Sequence, residues 1–380
     1  MVRSRRSAVF PATYDSSRAR FRSYLDAVRS RWPSARLGAH ALRDVPELSI
    51  DWITAGAADP HRLFVLTTGL HGIEGYVGAA MLALFVDEFL PHLDPRDAGL
   101  LLVHAINPWG MAHHERCNAH HVDLNRNFIA RWEGLEEANP DYDRVLALLH
   151  RRRPLESWLV ANLRFFGAVV RLILEMGVSR GRNAIMAGQY RHAEGFYYGG
   201  RGLQEETRVL MGLMEEALTG YDQIVHLDMH TGYGPRDQMS IVHPTGVPGT
   251  SAEWERKLVY PRVVRTDPAE FYTILGDMAN HWYALRDDRL PGRRVYAASF
   301  EFGTFGHSLL AEIRSLRASV LQNQLEVCGV ANRAAGKRMR REYEAQYYPA
   351  DPAWREKAIC DARQAFQGVL SFFGLIGQAG

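Results

Sequence analysis

The amino-acid sequence predicts an α/β fold with a mostly parallel or mixed central sheet. Short apolar segments of strand length alternate with longer segments of helical periodicity, and no internal repeat or low-complexity linker interrupts them. This alternation is typical of a sheet whose strands are joined by helices. The chain has 380 residues, of which 47% are hydrophobic and 23% charged, so it is long enough to bury a large core.

Six segments produce this alternation. An amphipathic helix is predicted over residues 18–31, where apolar side chains recur at helical spacing. A buried strand is predicted over 63–70, and a mostly apolar helix follows it over 75–90. The further strands are predicted over 100–106, 223–229 and 295–302.

Composition and charge argue against several classes of partner. The formal net charge is +2 without a dense basic stripe, which does not indicate nucleic-acid binding. The longest apolar stretch, residues 165–176, is interrupted by Arg171, which argues against a membrane span.

The cysteines are scattered and form no CxxC pair, and no apolar segment follows the basic N-terminal residues. We therefore expect a cytoplasmic protein.

Polar side chains stand where the predicted strands end. His71 and Asn107 follow the first two strands, His230 follows the third, and Glu301 lies at the end of the last. Sites in open α/β sheets gather beyond the carboxyl ends of the strands. The sequence therefore predicts that these side chains meet at one edge of the sheet.

His71 and Glu74 form an HxxE pattern directly after a strand. Three residues apart on a first helical turn, an imidazole and a carboxylate project to the same side. The flanking glycines of LHGIEG permit a tight turn and a close backbone approach. Zinc accepts nitrogen and oxygen ligands, and a His₂Glu set leaves one position for water. His230, at the end of HLDMH, is predicted as the third ligand.

Other histidines compete with His230 for that position. His226 shares its strand face by period-two alternation but lies deeper in the strand, so a buried, hydrogen-bonded role is predicted for it. Structural roles are also predicted for the remaining candidates, which are His113, His114, His120, His121, His243 and His307.

Residues 106–128 carry groups suited to an anionic substrate. Arg126 can bind a carboxylate through two N–H groups, and Asn125 can add a donor. Arg116 is a second cation, so one guanidinium can serve a developing oxyanion and the other a permanent anion. Considered without the other motifs, the segment is more typical of a surface loop with structural salt bridges.

Glu301 is flanked by two phenylalanines on an apolar strand, where a carboxylate needs a specific reason to be buried. A general base beside a metal site is one such reason. A buried glutamate paired with an arginine is the alternative.

In chain order, these motifs resemble those of the zinc carboxypeptidase superfamily. The series is LHGIEG, NPWG, Arg116, DLNRNF, LDMHTG and EFGT, within about residues 71–304. It looks closest to the poorly characterised bacterial carboxypeptidase-like branch, and is more distantly similar to the aspartoacylase and succinylglutamate desuccinylase group. The resemblance implies a single domain over residues 1–380, with a core at about 50–330 and a mixed, mostly parallel sheet flanked by helices.

The resemblance also implies a function and a ligand set. His71, Glu74 and His230 match the family's metal ligands, which implies one Zn²⁺ per chain. The implied activity is that of a metallohydrolase, which cleaves an amide or peptide bond next to a carboxylate-bearing residue as metallocarboxypeptidases do. The implied partner is a small peptide or acyl amino acid.

The same resemblance assigns roles around the metal. Arg116 matches the oxyanion-stabilising arginine, and Glu301 matches the catalytic glutamate. Asn125 and Arg126 match the pair that holds the substrate's terminal carboxylate.

Two features depart from the better-known carboxypeptidases. The stretch from Phe128 to Asp228 is long and contains a helical insertion at about 140–185, with an arginine-rich part at 151–182. A solvated helical segment is the favoured interpretation; the alternative is a lid or a surface for an acidic partner. The tyrosine that closes over substrate is also not assigned, with Tyr198, Tyr233 and Tyr272 as candidates.

Two other functions stay open. An N-acyl amino acid deacylase of the aspartoacylase type would have the same residues around zinc. A relative that binds zinc without turnover is the second alternative, and the presence of Glu301 and Arg116 argues against it.

Overall fold

The computed structural model describes residues 9–150, 152–266 and 274–377. It confirms the α/β fold, with an eight-stranded mixed sheet flanked by helices. The strands are β1 (Arg36–Ala41), β2 (Ser49–Ala55), β3 (Arg62–Thr68), β4 (Ala98–His104), β5 (Gln223–Gly232), β6 (Ser240–His243), β7 (Val263–Arg265) and β8 (Arg294–Gly303). Their order across the sheet is β1-β2-β4-β3-β5-β8-β6-β7.

Along the described residues, the α-helices in chain order are α1 (Tyr14–Arg29), α2 (Gly75–Glu88), α3 (Pro108–His113), α4 (Tyr142–Leu149), α5 (Trp158–Met176), α6 (Val178–Met186), α7 (Glu205–Gly220), α8 (Ser251–Leu258), α9 (Met278–Arg289), α10 (Leu309–Cys328), α11 (Arg333–Tyr347) and α12 (Pro352–Phe372). The 3₁₀ turns are Gly72–Glu74, Leu90–His92, Leu124–Arg126 and Leu135–Glu137. None of these described helices has the length and apolar character needed to cross a lipid bilayer.

The centre of the sheet is parallel. Strand β3 pairs in parallel with β4 and β5, and β5 pairs in parallel with β8. Antiparallel pairs join β1 to β2, β2 to β4, and β6 to β8. The carboxyl ends of β3, β5 and β8 therefore meet at one edge of the sheet, as predicted for the strands that precede or carry His71, His230 and Glu301.

The predicted central elements are confirmed with small shifts of their ends. The strand predicted over 63–70 is β3, which ends at Thr68, and the helix predicted over 75–90 is α2, which ends at Glu88. Strands β5 and β8 extend past the predicted ends, so His230 lies within β5 rather than after it, and Glu301 lies within β8, near the end where it was predicted.

Alternation along β5 separates the core from the site. Met229 lies on the face covered by α2, because its Cβ is close to Gly78, while His226 contacts the Trp282 ring of α9 on the opposite face. His230 shares the face of His226, and it is paired directly with Glu301 of β8. Both side chains therefore project from the same face of neighbouring strands.

Helix α2 is apolar on all sides because it is enclosed. It packs on β3 and β5 and is covered by α1 and α12, and its residues from Gly75 to Val86 are buried. The turn that precedes it packs closely against α3: a Cβ atom on Gly72 would overlap the backbone of Gly110. The glycines of LHGIEG and NPWG thus allow two loops of the sheet edge to meet.

Replacing Gly72 by alanine tests this close approach. We expect Gly72→Ala to lower the free energy of unfolding by about 1–3 kcal/mol, because backbone must move to admit the methyl group. Gly56→Ala is the matched control, since Gly56 is exposed and a Cβ there meets nothing within 4 Å. Urea unfolding of both variants measures the difference; equal stabilities would contradict the packing argument.

Candidate functional site

His71, Glu74 and His230 form a compact buried cluster. His71 Nδ1 lies 2.9 Å from Glu74 Oε1, and His230 Nδ1 lies 3.1 Å from Glu74 Oε2. The two Nδ1 atoms are 3.2 Å apart. Among the described residues, this is the group of His, Cys, Asp or Glu side chains whose ligand atoms lie close enough to hold one metal ion. The three residues singled out by the sequence are thus brought together.

Two buried carboxylates contact the outer nitrogens of these histidines. Asp228 Oδ2 lies 2.6 Å from His230 Nε2, a close ionic contact with poor N–H alignment. Asp123 Oδ1 lies 3.1 Å from His71 Nε2. Carboxylates behind metal-binding histidines fix the orientation of the ring. Neither role was predicted from the sequence, although Asp228 stands two residues before His230 on the same strand face and Asp123 opens DLNRNF.

The donor set fits a metal cation. Asp228 can only accept a hydrogen bond, so its contact favours the His230 tautomer with the proton on Nε2. The Nδ1 atoms of His230 and His71 and the carboxylate of Glu74 face one another. Such groups repel one another unless a proton or a cation lies between them. Two imidazole nitrogens and one carboxylate are ligands that zinc accepts, with one coordination position left open.

The electrostatics of the cluster favour a positive charge at its centre. Burial opposes ionisation of Glu74, but the charge of His71 and the hydrogen bond from His230 lower the pKa of Glu74. Burial likewise opposes protonation of His230, yet Asp228 and Glu74 raise its pKa above the usual value. A cation at the centre of the cluster would therefore be stabilised by the surrounding carboxylates.

Arg116 reaches the cluster from the loop after α3. Asn107 caps α3 by accepting a hydrogen bond from Gly110 N, and its side-chain amide donates to the Arg116 carbonyl oxygen. The guanidinium of Arg116 donates to Asp123 and Glu74 at 3.1 Å, and its Nη2 lies 2.7 Å from His71 Nε2. The guanidinium of Arg116, predicted as a second cation, therefore contacts the cluster, and Asn107 serves as the N-cap of α3.

Arg126 is buried rather than on a surface loop, with 1% of its surface exposed. Its Nη1 and Nη2 donate to the carbonyl oxygens of Asn125 and Met186. Its Nε is buried and has no hydrogen-bond partner among the described residues. Asn125 accepts a hydrogen bond from Met278 N through its side-chain oxygen. Both residues line the same pocket as the histidine cluster.

Glu301 lines this pocket and is the β8 residue paired with His230 of β5. Its Oε1 accepts a hydrogen bond from Tyr233 N at 2.9 Å. Burial and the negative charge of Glu74 raise the pKa of Glu301 to about 7. Among the described residues, no salt bridge from an arginine to Glu301 is present, so the alternative of a structural ion pair is not supported.

His226 is buried and hydrogen-bonded, as predicted: its Nε2 lies 2.8 Å from Thr67 Oγ1, and burial lowers its pKa to about 4. The histidines for which structural roles were predicted also lie outside the cluster.

The tyrosine candidates differ in position. Tyr233 lines the pocket, and its hydroxyl accepts a hydrogen bond from Arg182 at 2.5 Å. Tyr198 does not line the pocket, and Tyr272 lies outside the described residues. Tyr197 and Tyr347, which were not among the predicted candidates, also line it. The Tyr197 ring lies within 5.4 Å of the guanidinium carbons of both Arg116 and Arg126.

The arginine-rich segment forms α5 and α6, whose apolar residues line the pocket. Several of its arginines form ion pairs within the chain: Arg164 with Glu156, Arg171 with Glu175, and Arg180 with Asp141. These internal pairs reduce the positive charge that the segment offers to an acidic partner.

This chain is similar to several solved structures at low sequence identity. Bovine thrombin-activatable fibrinolysis inhibitor, in complex with a tick carboxypeptidase inhibitor, is 13% identical with a TM-score of 0.46, covering 81% of this chain and 94% of that chain. Carboxypeptidase A from Helicoverpa armigera is 13% identical with a TM-score of 0.44, covering 88% and 73%. An aspartoacylase family protein from Mesorhizobium loti is 13% identical with a TM-score of 0.35, covering 78% and 67%.

The fold and site thus define an α/β protein with a buried His–Glu–His cluster at the carboxyl edge of its sheet. The chain belongs to the family described as "Protein of unknown function (DUF2817)", whose model matches residues 10–361. None of the curated proteins compared with the chain matches it.

Replacing Asp123 tests the buried charge network. We expect Asp123→Asn to lower the free energy of unfolding by about 3–5 kcal/mol, because half-buried Arg116 and buried Arg126 lose their shared counter-charge. Asp94→Asn is the matched control, since Asp94 pairs with Arg96 at the exposed surface, and we expect a much smaller change. Urea unfolding with EDTA present removes any contribution from bound metal. Equal effects of both substitutions would contradict this role of Asp123.

Proposed function

We propose that this protein is a zinc-dependent hydrolase that cleaves an amide or peptide bond next to a carboxylate-bearing residue. The main support is the convergence of His71, Glu74 and His230 on one pocket that Glu301 and Arg126 also line. His71, Glu74 and His230 would hold the metal. When bound, zinc supplies Lewis-acid activation of water and of the scissile carbonyl group.

Glu301 acts as the proton carrier in this proposal. Its carboxylate takes a proton from the attacking water, and the same oxygen later returns it to the leaving amine. The backbone N–H of Tyr233 donates to Glu301 Oε1 and thereby orients the carboxylate. The raised pKa of Glu301 is consistent with a group that both accepts and releases a proton near neutral pH.

Arg116 and Arg126 bind different anionic groups in this proposal, the oxyanion of the reaction and the carboxylate of the substrate. Arg116 stands against Glu74 and His71, so its guanidinium is close to where an oxyanion would form. Arg126 and Asn125, which line the pocket, bind the carboxylate of the substrate and orient the scissile bond. The tyrosine rings and apolar helices around the pocket restrict the entry of water.

An N-acyl amino acid deacylase remains the second candidate, favoured by the apolar helices α5 and α6 that line the pocket. Hydrolysis of a panel of C-terminal peptides and N-acyl amino acids distinguishes the two. Preference for free C-terminal residues of longer peptides supports the peptidase, whereas cleavage confined to small acyl amino acids supports the deacylase.

Metal content tests the ligand set. We expect about one zinc per chain in the wild type and its loss in the double variant His71→Ala/His230→Ala, because one glutamate cannot hold the metal alone. The matched control replaces two exposed histidines, His113→Ala/His120→Ala, and should keep the metal. Elemental analysis after purification without chelators gives the result. A folded wild type that contains no zinc and takes up none when it is added would refute the proposal.

Glu301→Gln tests the proton carrier. We expect this variant to keep its zinc and to lose at least about 10²-fold in kcat, since glutamine cannot accept the proton. Glu312→Gln is the comparison, because Glu312 is another carboxylate that lines the pocket. We expect the kcat of this variant to fall much less. Turnover and zinc content are measured on both proteins. Near-full activity of Glu301→Gln would remove the assignment.

A further inference from the structure

The pocket has two chemically different sides. Its floor carries the charged groups at the sheet edge, among them Glu74, Arg126 and Glu301. A second part of its lining comes from helices α5, α6 and α10, and we call it the apolar wall. The apolar side chains of this wall include Leu172, Ile173, Val178, Ile185, Leu309 and Ile313.

The apolar wall continues from the interior to the surface. Leu172 and Ile185 are buried, with 4% and 5% of their surface exposed. Ile173, Val178 and Leu309 line the same pocket but are 36%, 49% and 55% exposed. Apolar side chains that remain open to water beside a pocket are typical of a surface that a ligand covers.

Charged groups are scarce on this wall. Helix α5 contributes only Val169, Leu172 and Ile173 to the pocket, all of them apolar. Arg182 of α6 and Glu312 of α10 form an ion pair with each other at 3.3 Å. A polar extension of a substrate would therefore lose its hydration here without gaining charged partners.

We propose, on the basis of the hydrolase function proposed above and of its deacylase candidate, that the substrate is an amphiphilic N-acyl amino acid whose extended aliphatic acyl chain lies along the apolar wall. The carboxylate of its amino acid binds at Arg126, and the scissile amide lies beside Glu301. Water adds across the C–N bond, so the products are a fatty carboxylate and an amino acid whose amine receives the proton. The open end of the wall leaves the far end of the chain near the surface.

Binding of unbranched carboxylates tests the wall without requiring turnover. The probes are acetate, hexanoate and decanoate, which are acyl products of the proposed reaction, measured by isothermal titration calorimetry on the purified full chain. We expect each added methylene to tighten binding about two- to fourfold, as for burial of an apolar chain. Equal affinity for hexanoate and decanoate would overturn the proposal.

Three substitutions locate the binding. Ile173→Asp and Leu309→Asp place a charge on the wall at positions that are 36% and 55% exposed. Leu163→Asp is the matched control, because Leu163 is 65% exposed on α5 and does not line the pocket. We expect either wall variant to weaken decanoate binding at least about tenfold, and Leu163→Asp to change it less than about twofold. Equal effects of Ile173→Asp and Leu163→Asp would overturn the proposal, because binding would then follow the exposed face of α5 in general.

Hydrolysis and zinc content separate this inference from the function on which it rests. The same proteins are assayed with N-acetylglycine, N-decanoylglycine and short C-terminal peptides. Hydrolysis without preference for the long acyl chain would refute the inference and leave the hydrolase proposal intact. Chain-length-dependent binding in a protein without zinc or hydrolysis would refute the hydrolase and the substrate assignment together, and would leave only a fatty-carboxylate site. Preferential hydrolysis of N-decanoylglycine, weakened by Ile173→Asp, would support both.

Discussion

The arrangement of the site depends on one buried carboxylate, that of Asp123. A fully buried carboxylate is tolerated only where donors and positive charges surround it. Asp123 has such partners in His71, the Arg116 guanidinium and the backbone N–H of Asn125. His71 and Arg116 come from two different loops at the sheet edge, and Asn125 belongs to the DLNRNF turn itself. The orientation of a predicted metal ligand and of the oxyanion-binding candidate is thus fixed by the same group.

Two glutamates in the pocket illustrate how position determines chemistry. Glu74 faces His71 and His230, and their positive charge outweighs burial and keeps its pKa low. Glu301 lies on β8, two strands from β3, whose following turn carries Glu74; there burial and the charge of Glu74 raise the pKa of Glu301 to about 7. Two carboxylates whose environments move their pKa values in opposite directions suit different roles. The pairing of His230 with Glu301 across β5 and β8 produces this separation.

The central sheet and the three candidate ligands were predictable from sequence because they follow local patterns. Apolar runs in the sequence predicted β3, β4, β5 and β8. The polar residues that follow or end these strands lie at one edge of the sheet. The edge strands were not predicted. Strand β1 is largely exposed and alternates only weakly, and β7 has three residues, so neither gives an apolar run. Tertiary pairing, rather than local sequence, determines these strands.

The surroundings of Arg126 were also beyond prediction from sequence. The carbonyl oxygen of Met186 that holds its guanidinium comes from a segment 60 residues away. The orienting carboxylate of Asp228 had a local signal, two residues before His230 on one strand face, whereas Asp123 needed the packing of separate loops.

Chemistry and selectivity come from different parts of the chain in the proposed enzyme. The floor of the pocket is built from sheet ends and from the motifs in which the resemblance was found, whereas the apolar wall is built from α5, α6 and α10, which carry none of those motifs. The arginines of the wall segment drew attention in the sequence, but many of them pair with nearby carboxylates. Arg182 lines the pocket but pairs with Glu312, and the larger side chains that helix α5 contributes to the pocket are apolar. A change in the wall can therefore alter which acyl chain fits without moving the groups that hold the metal and carry the proton. The apolar wall therefore indicates the class of substrate, and the charged floor of the pocket indicates the type of reaction.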